Sequence, residues 1–135
     1  MPLSLILLIG LHLVAAVFWL FSCAVLGWGG QPGAARTMFR PQMIAAIVAM
    51  FTGGGLWQLL HAGGFGPHEM VLALGALLAI VTTGVQGAMV GGPVRRLKTG
   101  AGAEGELLAR IVLGERIATG LLLVTFACMV GERFV

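Results

Sequence analysis

Apolar residues in this chain gather into four long runs, each broken by a short segment rich in Gly, Pro or basic residues. No charge appears between Met1 and Ala35. A spanning helix needs roughly 20 apolar residues at about 1.5 Å each, so the first run predicts a membrane helix over 3–28. "GGQPGAARTMFRPQ" (29–42) then mixes Gly and Pro with Arg36 and Arg40 and predicts a loop. Met43 to His61 predicts a second span, "AGGFGP" (62–67) a tight uncharged turn, and His68 to Gly91 a third span. "GGPVRRLKTGAGAEGE" stops that helix and supplies Arg95, Arg96 and Lys98. The fourth span, 106–131, begins amphipathically near Glu106, and its uncharged stretch is only Ile117 to Gly131. Glu115 and Arg116 are therefore expected at the edge of the hydrocarbon. The pattern predicts an all-α fold: an integral membrane four-helix bundle in one transmembrane domain.

Composition supports this class. Of 135 residues, 59% are hydrophobic and 10% charged, with a mean hydropathy of +1.02. A soluble domain carries about 25% charged residues. The net charge of +3 does not point to nucleic acid, because the basic residues sit in two connecting loops. Loops one and three hold them and loop two holds none, so the positive-inside rule predicts both termini on the outer (periplasmic) side of a bacterial inner membrane. The first ten residues carry no Lys or Arg, so the first run is expected to be a retained helix and not a cleaved signal. Cys23 lies near the inner end and Cys128 near the outer end, roughly 20 Å apart in depth and too far for a disulfide.

Small residues recur along the helices: Ala45, Ala46 and Ala49, Gly53 to Gly55, Gly75 and Ala79, and the G-x-x-x-G of Gly87 and Gly91. They permit close helix approach, within the bundle or against a homo-oligomer or a partner subunit. Polar residues are few enough to be informative. His12 falls about 15 Å below the outer end of the first helix, and Ala16, Trp19 and Cys23 share its face. That face is expected to point into the bundle. His61 and His68 flank the outer turn, followed by Glu69 and Met70. Imidazole is the commonest biological metal ligand and soft sulfur favours copper, so His12, His61, His68 and Met70 are candidate metal ligands. The alternatives are interfacial or packing roles. A second polar set of Thr82, Thr83, Gln86, Glu115 and Thr119, with Arg116 and Arg40 nearby, lies toward the inner side. It reads as interhelical hydrogen bonds and an interfacial ion pair, or as contacts to haem propionates, a quinone headgroup or a proton path.

The chain has no G-x-S-x-G, H-E-x-x-H, P-loop or C-x-x-C-H, so hydrolase, ATPase and covalent-haem readings lack support. The first helix, "LHLVAAVFWL", resembles the opening of the copper-resistance D (CopD)-like and HemJ-like membrane families. "PHEMVLALGALLAIV" is similar to the start of their third helix, and "ARIVLGERIATGLLLV" to their Arg-led last helix. The resemblance implies a haem b ligand at His12, with Trp19 as part of the helix signature, or a role in periplasmic copper handling. HemJ-like proteins carry a lysine just after the third-helix histidine, where this chain has Glu69 and Met70. Two readings follow. One is a protein binding haem b or copper through His12, with His61 and His68 as further candidates, acting in electron transfer or copper handling. The other is a structural or assembly subunit of a larger membrane complex without a cofactor.

Overall fold

The computed structural model describes residues 2–61 and 63–135; of the predicted turn, Ala62 lies outside the described residues. Four helices are long and apolar enough to cross a membrane. Helix α1 is Leu3–Trp28, and it stops where Gly30 adopts a φ of +79°, a conformation that only glycine takes up without strain. The chain is a multi-pass membrane protein built on a four-helix bundle. Its lipid-facing sides expose large apolar side chains such as Leu7, Val14, Phe21, Phe51, Ile80 and Leu123.

The second span differs from the prediction. After a short 3₁₀ turn at Pro32–Ala34, α2 runs Ala35–Leu60, straight through Pro41. Proline removes one helical hydrogen bond and normally marks a break. Here burial overrides it: Ala35, Met38 and Phe39 pack on Leu26, Val90, Val94 and Ile111. Arg36 and Arg40 stay on the exposed side of this turn.

The third span also outruns its predicted stop. Helix α3 (Pro67–Gln86) passes into a π turn at Gly87–Gly91 and then into α4 (Gly92–Thr99), which ends at Gly100 with a φ of +71°. The Gly92 N–H reaches back five residues to the Gly87 carbonyl. A wider turn relieves the clash a proline ring makes with the carbonyl four residues earlier, so the helix continues past Pro93. Gly91 faces α2, where an added Cβ would stand 2.8 Å from the Phe39 ring.

The fourth span, α5, is Glu104–Gly131, with Glu104 and Glu106 in the first turn, where acidic residues suit the helix dipole. More of it is buried than of any other span. It packs between α1 and α3; α2 lies on the far side of α1 and touches α3 only sparsely. The core along this line is made of Ala15, Ala16, Trp19 and Cys23 from α1, Ala45, Ala46 and Ala49 from α2, Ala79 from α3, and Ala118 and Leu122 from α5. Gly114 brings α5 against the π turn, since a Cβ there would lie 2.7 Å from the Met89 Cβ.

Candidate functional site

His12 faces α2 in the half of the bundle nearer the termini. Its Nδ1 lies 2.9 Å from the Ala49 carbonyl oxygen and 3.0 Å from Thr52 Oγ1. A carbonyl oxygen only accepts, so Nδ1 carries the proton and donates. The Thr52 hydroxyl is already donating to the Val48 carbonyl at 2.6 Å, which leaves its oxygen free to receive the imidazole. In the neutral ring this leaves Nε2 with a bare lone pair. The ring edge lies against Gly53: a Cβ at that position would stand 3.1 Å from His12 Cε1. The predicted His12 face does turn inward, with Ala16, Trp19 and Cys23 all buried below it.

The other two histidines serve different contacts. His61 Nδ1 is 3.0 Å from Glu69 Oε1, and the second Glu69 oxygen accepts the Gly66 N–H at 2.9 Å. Trp57 tilts against the same imidazole. This group fastens the end of α2 to the first turn of α3. His68 donates through Nδ1 to the Glu132 backbone carbonyl, with the Glu132 carboxylate 3.4 Å away, tying α3 to the turn after α5. Met70 is 60% exposed. His12, His61 and His68 thus have separate partners. Among the described residues no three His, Cys, Asp or Glu side chains converge as a metal cage would require.

A second constellation lies deeper and toward the basic end. Each span contributes to it: Trp19 and Cys23 from α1, Gln42 from α2, Gln86 from α3 and Glu115 from α5. All are buried, and Cys23, Gln42, Gln86 and Glu115 are 0% exposed. Trp19, a candidate cofactor residue in the sequence, is a core residue whose indole N–H donates to Gln86 Oε1. Gln86 Nε2 is 3.2 Å from the Cys23 sulfur and 3.5 Å from Glu115 Oε2. Gln42 Nε2 donates to the same Glu115 oxygen at 3.1 Å and lies 3.6 Å from the sulfur. Thr82 and Thr119 stand beside this layer, but their hydroxyls bond backward to the Leu78 and Glu115 carbonyls.

Several sequence expectations change here. Glu115 is a core residue, not an interfacial one, and it makes no ion pair with Arg116. The Arg116 Nε donates to the Gly27 carbonyl at 2.8 Å, and the guanidinium lies over the Trp28 ring. Arg40 is exposed, and the Arg–carboxylate bridge at this end joins Arg36 to Glu104. Gln42 was missed because it follows Pro41 in a segment that reads as loop. Its one available signal was its place at the edge of an alanine-rich helical face. In comparisons with known proteins, no family model, curated protein or solved structure matches the chain.

Proposed function

We propose that this protein is a membrane electron-transfer protein in which His12 would hold a haem b. The observation that carries the reading is the state of the His12 ring. A metal-bound histidine almost always donates its other ring N–H to a carbonyl, carboxylate or water, which fixes tautomer and orientation. His12 has that arrangement, with Nδ1 held by Ala49 and Thr52. Gly53 carries no side chain, which lets the ring lie close against α2. A non-covalent haem requires little more than an axial ligand and apolar surroundings. When bound, it would supply a one-electron couple within the apolar layer. The chain's own residues hold the imidazole through Ala49 and Thr52, on a helix face that His12 shares with Leu8 and Ala16.

Copper fits less well, because a copper site needs several convergent soft or imidazole ligands, whereas His61 and His68 bond to Glu69 and Glu132 and Met70 is exposed. We place the protein in a bacterial inner membrane with its termini and all three histidines on the outer side. Seven basic residues, Arg36, Arg40, Arg95, Arg96, Lys98, Arg110 and Arg116, lie toward the opposite end, which is the cytoplasmic end by the positive-inside rule.

The rival reading, a cofactor-free subunit of a larger complex, draws on the sparse contact between α2 and α3. Gly54 and Gly84 on these helices meet no neighbour, as small residues awaiting a partner helix would. Haem and copper content of the detergent-purified protein, wild type against His12→Ala, separates the readings. Stoichiometric haem lost in the variant, with helical circular dichroism unchanged, supports ligation. Wild-type protein without haem, together with a His12→Ala effect confined to a lower Tm, favours the subunit.

A further inference from the structure

The buried layer around Glu115 contains an unexplained pair of atoms. Gln42 Oε1 and Glu115 Oε1 are both buried acceptors, and neither has a hydrogen-bond partner. Leaving two such oxygens unpaired forfeits their hydration with nothing in return. Native proteins rarely tolerate this without a reason. The two side chains are already joined on their other edges, where Gln42 Nε2 donates to Glu115 Oε2 at 3.1 Å. A carboxylic acid and a carboxamide pair edge to edge through two bonds: the amide N–H to one acid oxygen, and the acid O–H to the amide oxygen. One bond of this pair is present, and the two unpartnered atoms are the donor and acceptor positions of the other.

We propose that Glu115 is a proton-binding site in the middle of the bundle, holding a proton on Oε1 and sharing it with Gln42 Oε1. One proton would satisfy both unpartnered atoms. It would also remove the need for a counter-ion, and the groups around the carboxyl supply none. It meets Gln42 from α2 and Gln86 from α3, and Cys23 of α1 lies against the same two amides; on its own helix, Arg116 turns away to Gly27 and Trp28. Intramembrane carboxyls that face a bundle interior commonly act in proton relays.

The arrangement couples the proton to the packing of all four spans. Without it, Gln42 Oε1 and Glu115 Oε1 would both stay buried with no donor, so release requires Gln42 or Glu115 to move. Gln86, the third partner, is the last residue before the π turn. Such turns are local irregularities frequently found at functional sites, and the turn gives α3 a place to yield.

Infrared difference spectroscopy on the detergent-purified full chain tests this directly. The wild type should show the carbonyl stretch of a protonated carboxylic acid, insensitive to mild alkaline buffer. The band should be lost in Glu115→Gln and retained in Glu132→Gln, a control at the exposed terminal turn. In Gln42→Leu the acid loses its amide partner, so the band should move to higher frequency. A purely packing role for Gln42 would leave the frequency unchanged, and that result overturns the shared-proton geometry. Absence of the band in the folded wild type overturns the proposal outright, as does a carboxylate signal that responds to sodium or potassium, which would mark a cation site. These readouts do not depend on haem, so the proposal stands or falls apart from the assignment of His12.

Discussion

At the level of single residues, the proposed haem binding depends on how His12 is held. Its face was legible in the sequence, because a histidine followed by Ala16, Trp19 and Cys23 at helical spacing must point one way, and an apolar helix turns its few polar groups inward. What held it was not legible. The Ala49 carbonyl that receives Nδ1 carries no side-chain signature, and Gly53 stood among three consecutive glycines with nothing to distinguish it. The distinction is testable. Gly53→Ala puts a Cβ 3.1 Å from His12 Cε1, while Gly54→Ala meets nothing within 4 Å. The first should shift the haem absorption bands or reduce haem occupancy, and the second should leave both as in wild type. A spectrum equally unmoved by both changes would argue against the haem lying on this ring. Trp19→Phe removes the indole N–H and leaves Gln86 Oε1 buried without a donor. A loss of about 1–3 kcal/mol is expected, measurable as a lower Tm in detergent with the cofactor retained.

Among elements, the four spans were readable because long apolar runs have few alternatives in a chain with this little charge. Their ends were not. The stretch 29–42 has the composition of a loop, yet most of it is helix, since Ala35, Met38 and Phe39 find apolar partners on α1, α4 and α5. "GGPVRR" has the composition of a stop, yet the π turn lets the helix carry on past Pro93. These continuations also explain the misplacement of Glu115. Extending the second and third spans at the basic end surrounds α5 to a depth that run lengths alone did not indicate, and the longer α2 brings Gln42 to the carboxyl. The junction of α5 with the π turn is correspondingly sensitive. Gly114→Ala would place a Cβ 2.7 Å from the Met89 Cβ and 3.0 Å from Val90 Cγ2. Overpacking of this kind costs about 1–3 kcal/mol. Gly120→Ala, six residues along the same helix, meets nothing within 4 Å and should be neutral or slightly stabilising. Thermal unfolding of the two variants side by side should separate them; equal midpoints would contradict the close approach.

For the whole molecule, the main contacts run α2 on α1, α1 on α5 and α5 on α3, and α2 meets the third span chiefly at the basic end, against the π turn and α4. His12 sits in the α1–α2 contact nearer the termini, and Glu115 sits at the other level, where all four spans meet. The uneven distribution of charge is the basis of the proposed orientation. A periplasmically active reporter such as alkaline phosphatase should work when fused after Val135 and fail when fused after Thr99; the reverse pattern would invert the membrane orientation. Whether His12 holds haem is decided by a dithionite-reduced minus oxidised visible spectrum of protein purified in mild detergent after expression with haem precursor supplied. Sharp b-type bands in the wild type, absent from His12→Ala protein of unchanged helicity, are predicted. A featureless difference spectrum from intact, well-folded wild type would contradict the claim and leave His12 as a packing residue held by Ala49 and Thr52.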